Sequence, residues 1–254
     1  TGVNLSQYRS GGLDFPGLLR RLVEATERVA FRLSSYEPDR VDEAFLSAFS
    51  LPRVRPHLHL ALPSGSDAIL ASMGRRYGRD DALRAVDAAR AVKDDPFIGA
   101  DLIVGFPGET DKDFEHTLEL LGRIEPAWVH VFTYSPRPGT RAASLRPLVP
   151  ERVAVERARV VQGLAVRGKA AFAARRLGAE LEAVLEGPPV VDGAPLQATS
   201  AEYLRLAISG APSGARGACR CRVTELEPMR DSGKAAPEDG EASLSGLDAL
   251  AEFI

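Results

Sequence analysis

Two hydrophobic periodicities alternate along the first half of the chain. Runs of adjacent apolar residues predict strands, and apolar residues recurring every three or four positions predict helices. Leu18, Leu19, Leu22 and Val23 share one helical face after Asp14, a capping residue type. Residues 29–33 predict a short strand, and Val41, Phe45 and Phe49 form a stripe on a second helix. A strand over 57–62 follows, then a short helix through Ile69, Leu70 and Met73 that Ser66 can cap, then a longer helix over roughly 80–93. Leu102, Ile103 and Val104 predict a buried strand before a turn containing Gly105, Pro107 and Gly108. Thr110 can cap the next helix, with Asp113 three residues later as a short-armed capping box. Residues 128–134 form the last strand of this series. Strand and helix in such alternation imply an α/β fold of parallel βα units, wound into a barrel or an open sheet.

Each predicted strand ends in polar or glycine-rich residues. These are Gly2 and Asn4; Ser35 and Glu37; Ser64 and Gly65; Gly105, Phe106, Pro107, Gly108 and Glu109; and Tyr134 with Arg137. In a parallel barrel such ends meet on one face, where small-molecule sites form. Glu37, held extended before Pro38, can accept paired hydrogen bonds from a ribose diol or stand as an exposed loop acid.

The pattern changes after residue 150. A helical, basic stretch carries Arg157, Arg167, Arg175 and Arg176, which predicts either a solvated face or a phosphate-facing one. After Gly178, Leu181, Ala183 and Leu185, then Leu204, Leu206 and Ile208, then Cys219, Cys221 and Val223 alternate with polar residues. That period of two predicts a small antiparallel β-domain. The domain expectation is 1–149 for the βα part, 150–177 for a basic helical linker and 178–230 for the β-domain. Residues 231–254 read as an acidic, disordered tail with a short helix near 244–253.

A formal net charge of -3 over 254 residues carries no global nucleic-acid signal, so any basic surface is local. No apolar run reaches membrane-spanning length, and the two cysteines cannot form a disulfide framework, which points to a reducing, cytoplasmic compartment. Thr1 falls inside a strand-end turn, so more chain is expected before it. His57 and His59 share a strand face, as metal ligands of a barrel hydrolase or as a hydrogen-bonded interior pair. Cys219 and Cys221 read as small inward-packed residues, since two thiols complete neither a zinc nor an iron–sulfur site.

Five stretches, TGVNLSQY at 1–8, RLSSYEP at 32–38, HLHLALPSGSD at 57–67, GADLIVGFPGET at 99–110 and HVFTYSPRPGT at 130–140, taken together resemble a known family. It is the radical S-adenosylmethionine tRNA methylthiotransferases, in particular the threonylcarbamoyladenosine branch. The resemblance implies a partial (β/α) radical SAM barrel followed by a TRAM-like RNA-binding β-barrel. It also implies S-adenosylmethionine and a [4Fe–4S] cluster as cofactors, the cluster cleaving the former to a 5′-deoxyadenosyl radical. The substrate it implies is the tRNA anticodon stem-loop, methylthiolated on the adenosine beside the anticodon, with an electron donor and a sulfur donor as partners and no membrane.

By position, Gly2 and Asn4 would contact the amino-acid end of S-adenosylmethionine, Ser35 and Glu37 its ribose, and residues 105–109 its adenine. His59, Ser64, Gly65 and Tyr134 join that cofactor-binding set, and Arg137, Arg157, Arg167, Arg175 and Arg176 the RNA-binding set. Two departures stand out. The family's CxxxCxxC loop is not in this chain, so the chain alone is expected to be inactive. Ala61-Leu62-Pro63-Ser64-Gly65-Ser66 also replaces the family's Pro-Leu-Gln-Ser-Gly-Ser. The rival expectations are a catalytically silent tRNA-binding module and a metal-dependent hydrolase using His57 and His59.

Overall fold

The structure, a computed structural model, describes residues 4–187, 194–212, 214–227 and 247–254. The chain divides into two units, Thr1–Ala165 and Val166–Ile254.

In the first unit a small hairpin, β1 (Arg9–Ser10) and β2 (Leu13–Asp14), leads into α1 (Phe15–Glu24). Asp14 caps α1 by accepting from the Gly17 amide at 2.9 Å. Next come α2 (Glu43–Phe49), β3 (His57–Ala61), α3 (Asp67–Ser72), α4 (Arg79–Val92), β4 (Phe97–Val104), α5 (Asp111–Ile124), β5 (Trp128–Thr133) and α6 (Arg141–Ser144). Strands β3, β4 and β5 form one parallel sheet in that order, with Ala61 beside Asp101 and Asp101 beside His130. The predicted strand over 29–33 does not form. Phe31 and Tyr36 make only isolated parallel bridges to Val54 and Leu60, because Glu37 is followed by Pro38 and the chain leaves the sheet there.

One face of the sheet is packed by helices. Phe45, Phe49, Leu58, Leu60, Leu70, Ala82 and Ala89 are buried in one cluster there. A second cluster joins Leu102, Val104, Leu121 and Val129 to Ala158, Val161 and Ala165 of α7 (Glu151–Ala174). Thr110 caps α5 through a reciprocal box, accepting from the Asp113 amide at 3.2 Å while Asp113 accepts from the Thr110 amide at 2.9 Å. Ser66 precedes α3 but makes no side-chain cap bond; its hydroxyl donates to Asp113 Oδ1 at 2.6 Å instead.

The second unit is a closed five-stranded barrel, ordered β10-β8-β7-β6-β9. Its strands are β6 (Glu180–Leu185), β7 (Leu196–Ser200), β8 (Arg205–Ser209), β9 (Gly217–Leu226) and β10 (Ala249–Phe253). Leu181, Ala183, Leu206, Ile208, Cys221 and Val223 point inward, as the alternation requires. The helix expected near 244–253 is corrected: Ala249–Phe253 is a strand, parallel to β8 and antiparallel to β9, and it closes the barrel. Closure removes two sheet edges, an advantage that local helix periodicity cannot register. Residues 231–246, the rest of the expected tail, lie outside the described residues.

Candidate functional site at the strand ends

The sheet alternates its side chains between a helix-covered face and an open one. Val129 of β5 is buried, whereas His130 and Phe132 are exposed on the other side. His59, Asp101 and His130 come from adjacent strands and gather on that open face. His59 Nε2 lies 3.0 Å from Asp101 Oδ1, and the His59 and His130 ring centroids are 5.4 Å apart. The Ser35 hydroxyl donates to Asp101 Oδ2 at 3.1 Å. Burial pushes the Asp101 carboxyl up, but the hydrogen bonds from His59 and Ser35 outweigh it and hold the group below its ordinary value. Gly99 makes room for this arrangement, since a Cβ there would stand 2.5 Å from His59 Nδ1.

His57, two residues away, is buried against Phe97 at 5.3 Å, and its Nδ1 donates to the Leu33 carbonyl at 3.2 Å. Burial and the neighbouring charges of Arg32 and His59 push its imidazole down to about 3. A ring held neutral and bonded in this way is a packing element. Among the described residues, no three His, Cys, Asp or Glu side chains are grouped to hold a metal ion.

The remaining expected site residues fall into distinct environments. Gly2 lies outside the described residues, while Asn4 caps a short 3-10 turn by accepting from the Ser6 amide at 3.1 Å. Glu37 is held by Arg75 at 3.2 Å, a partner that sequence pattern does not suggest. Ser64 is buried and accepts from the Ser66 amide at 3.2 Å, and the Gly65 amide donates to Thr117 Oγ1 at 3.0 Å. The first bond holds the turn's own shape and the second fastens it to α5. Phe106 is buried, Pro107 beside it, with Phe106 edge-on to Tyr134 at 5.3 Å. The Tyr134 hydroxyl is buried and has no hydrogen-bond partner among the described residues.

The resemblance puts Glu109 near an adenine and Arg157 against RNA; in the structure the two form a buried ion pair with each other at 2.7 Å. The same Glu109 oxygen accepts from the Gly105 amide at 2.6 Å, and Arg157 also reaches Asp111 at 2.7 Å. Burial pushes the Glu109 carboxyl up, while the Gly105 amide and the Arg157 guanidinium pull it back. A charge removed from water needs a partner of opposite sign, which is why these two residues hold each other beside the 105–109 loop. Arg176 is buried too, its guanidinium 3.9 Å from the Phe172 ring centre. Arg137, Arg167 and Arg175 are exposed. Asp101 and His130 are absent from the expected set. Asp101 has a sequence signal, as the one charged residue inside the apolar run 97–104.

The glycines of these turns make a graded prediction. A Cβ at Gly65 would stand 2.5 Å from Thr117 Cα, and one at Gly105, where φ is +76°, 2.5 Å from Ala154 Cβ. Gly108 has φ +85° but open space around it. Gly65→Ala and Gly105→Ala should each cost about 1–3 kcal/mol through overpacking, and Gly108→Ala about 1 kcal/mol from its backbone alone. Urea unfolding followed by Trp128 fluorescence reads all three. A Gly108→Ala loss equal to the other two would mean that close approach is not what selects glycine here.

The model of the radical SAM superfamily matches residues 5–121. The threonylcarbamoyladenosine tRNA methylthiotransferase MtaB of Treponema pallidum is 47% identical over 186 residues, covering 73% of this chain and 39% of the relative. The protein of the same name from Thermotoga maritima is 41% identical over 191 residues, covering 73% and 43%. The chain thus spans about two fifths of the length of the curated relatives it matches. Among solved structures, coproporphyrinogen III oxidase from Escherichia coli, a radical SAM enzyme, aligns with a TM-score of 0.49 at 16% identity, covering 59% of this chain and 36% of that one. The matched stretch takes in Ser35, His59, Asp101 and the 105–109 loop, and over it the chain matches the radical SAM superfamily and is similar to tRNA methylthiotransferases.

Proposed function

We infer that this chain is part of an enzyme that methylthiolates N6-threonylcarbamoyladenosine beside the anticodon of tRNA. The 41–47% identity to methylthiotransferases over 73% of the chain carries this reading. In it, the first unit is a partial radical SAM barrel whose strand ends bind S-adenosylmethionine, and the second is a TRAM-like RNA-binding barrel. A cytoplasmic location goes with it. Among the described residues no helix is long and apolar enough to cross a membrane.

Family membership implies S-adenosylmethionine and a [4Fe–4S] cluster as cofactors. The residues present fit the two differently. At the strand ends the buried, unpartnered Tyr134 hydroxyl offers a donor for a bound polar molecule, and Ser35 and Asp101 stand on the open face. The chain's two cysteines do not fit the cluster. Both lie on β9, and burial pushes the Cys221 thiol up to about 11, away from the thiolate that iron needs. The cluster's ligands therefore do not come from these thiols, and the electron and sulfur donors belong to the same wider reaction.

RNA binding is the part of the reading that this chain's own side chains can be tested on. Arg167 is exposed on the part of α7 within the second unit and Arg175 in the turn just after it, and Arg205, Arg220 and Arg222 are exposed on the barrel strands. Arg220 and Arg222 share Glu180 at 2.6 and 2.7 Å, while Arg175 donates to the Ala171 carbonyl at 3.2 Å and lies over the Phe172 ring at 5.3 Å; the test takes Arg167 and Arg175. Removing one arginine–phosphate interaction should flatten the salt dependence of log affinity by about 0.7–0.9. The Arg167→Gln/Arg175→Gln variant should show that change per residue, equally for matched and unmatched stem-loops, because phosphate recognition carries no sequence information. Fluorescence anisotropy of a labelled anticodon stem-loop over a salt series measures it. A parent slope near zero would sink the RNA-binding reading.

A further inference from the structure

We propose that β5 and the loop after it form a nucleotide-binding surface, on which the base of a single-stranded RNA purine nucleotide lies against the open face of the sheet. This rests on the tRNA reading above and names the surface that would receive the nucleotide to be modified. Three observations within the first unit carry it.

The first is an aromatic ledge. Trp128, His130 and Phe132 alternate along β5 and so project to the same side. Trp128 Nε1 donates to His130 Nδ1 at 3.2 Å, and the two rings meet edge to face with centroids 6.0 Å apart. Phe132 is 55% exposed, and on the opposite face of the strand Val129 is buried and Val131 half-buried. An exposed aromatic edge of this kind is a stacking platform for a base, and each stacked base is worth about 5- to 150-fold in affinity.

The second is a hydrogen-bond acceptor beside the ledge. Asp101 pairs in register with His130, and its side chain remains 39% exposed after accepting from His59 and Ser35. A carboxylate so placed can accept from the exocyclic N–H of an adenine edge.

The third is charge complementarity. Between Tyr134 and Pro150 the chain carries Arg137, Arg141 and Arg146, all exposed, and no carboxylate. S-adenosylmethionine offers an adenine and a single carboxylate beside two positive charges, so it can neutralise at most one of these three arginines. A nucleotide within an RNA chain offers a base for the ledge and phosphates for the loop, and that selects RNA as the occupant.

Trp128 is the only tryptophan of the chain, so its fluorescence reads the surface directly. The full chain is titrated with three probes: an anticodon stem-loop with adenosine 3′ to the anticodon, the same stem-loop abasic at that nucleotide, and S-adenosylmethionine alone. The intact loop should quench Trp128 fluorescence, and the abasic loop should bind roughly tenfold more weakly with little quenching. Phe132→Ala, at an exposed position, should weaken the intact loop roughly tenfold and leave the abasic one unchanged. Arg137→Gln with Arg141→Gln should flatten the salt slope for both loops. Equal quenching by the intact and abasic loops would overturn the proposal, as would stronger quenching by S-adenosylmethionine than by RNA. Binding seen by anisotropy with no Trp128 response would overturn it while leaving the RNA reading intact. Absence of any anisotropy change would count against the RNA reading itself.

Discussion

Arg157→Ala should destabilise the first unit by about 3–5 kcal/mol, the usual consequence of removing one member of a buried ion pair. The guanidinium is 6% exposed and the Glu109 carboxylate 1%, so water replaces neither partner. Arg157 also donates to the Glu109 backbone carbonyl at 3.3 Å, reaches Asp111 at 2.7 Å and lies over the Phe114 ring at 5.3 Å. Its removal leaves Glu109 charged and buried with only the Gly105 amide against it. Urea unfolding followed at Trp128 reports this unit alone, because Trp128 lies in it and the chain has no other tryptophan. Glu109→Gln keeps an acceptor for the Gly105 amide while removing the charge. Combined with Arg157→Met it should cost clearly less than the two single losses added, with a coupling of about 1–3 kcal/mol. Additive losses would mean that the pair is not the interaction holding the loop.

The second large effect is on acid stability. Unfolded, His57 takes up its proton near pH 6.5, whereas in the folded chain it does so only near 3. Between those values the unfolded chain binds more protons, so stability is full above about pH 6.5 and is lost progressively as pH falls toward 3. At 1.36 kcal/mol per unit, the loss from this one group between pH 7 and pH 4 is about 3 kcal/mol. His57→Gln can still donate to the Leu33 carbonyl but has no proton to gain. The stability gap between parent and variant should therefore shift by about 3 kcal/mol in the variant's favour over that range. Parallel pH profiles would show that His57 is protonated within the fold.

Both effects rest on interactions between residues far apart in the chain. Local pattern located α1, α4 and α5, the strands β3 to β5, the Thr110–Asp113 cap and the inward stripe of the barrel. Each depends on a period of 3.6 or 2 or on a capping residue, and these act within a few positions of one another. The motif stretches likewise placed the chain among the radical SAM methylthiotransferases, because a family's strand ends carry recognisable residues in a fixed order. Tertiary structure decided which partners those residues meet. Glu109 and Arg157, 48 positions apart, neutralise each other only after α7 folds back beside the 105–109 loop. Asp101 gathers His59 and Ser35 only through the register of parallel strands. Residues 249–253 became a strand because two neighbouring strands left edges to close. A side chain's type and its near neighbours are written in the sequence, but its partner across the fold is set by burial, which pairs each charge or unpaired edge with whatever the packing brings within reach.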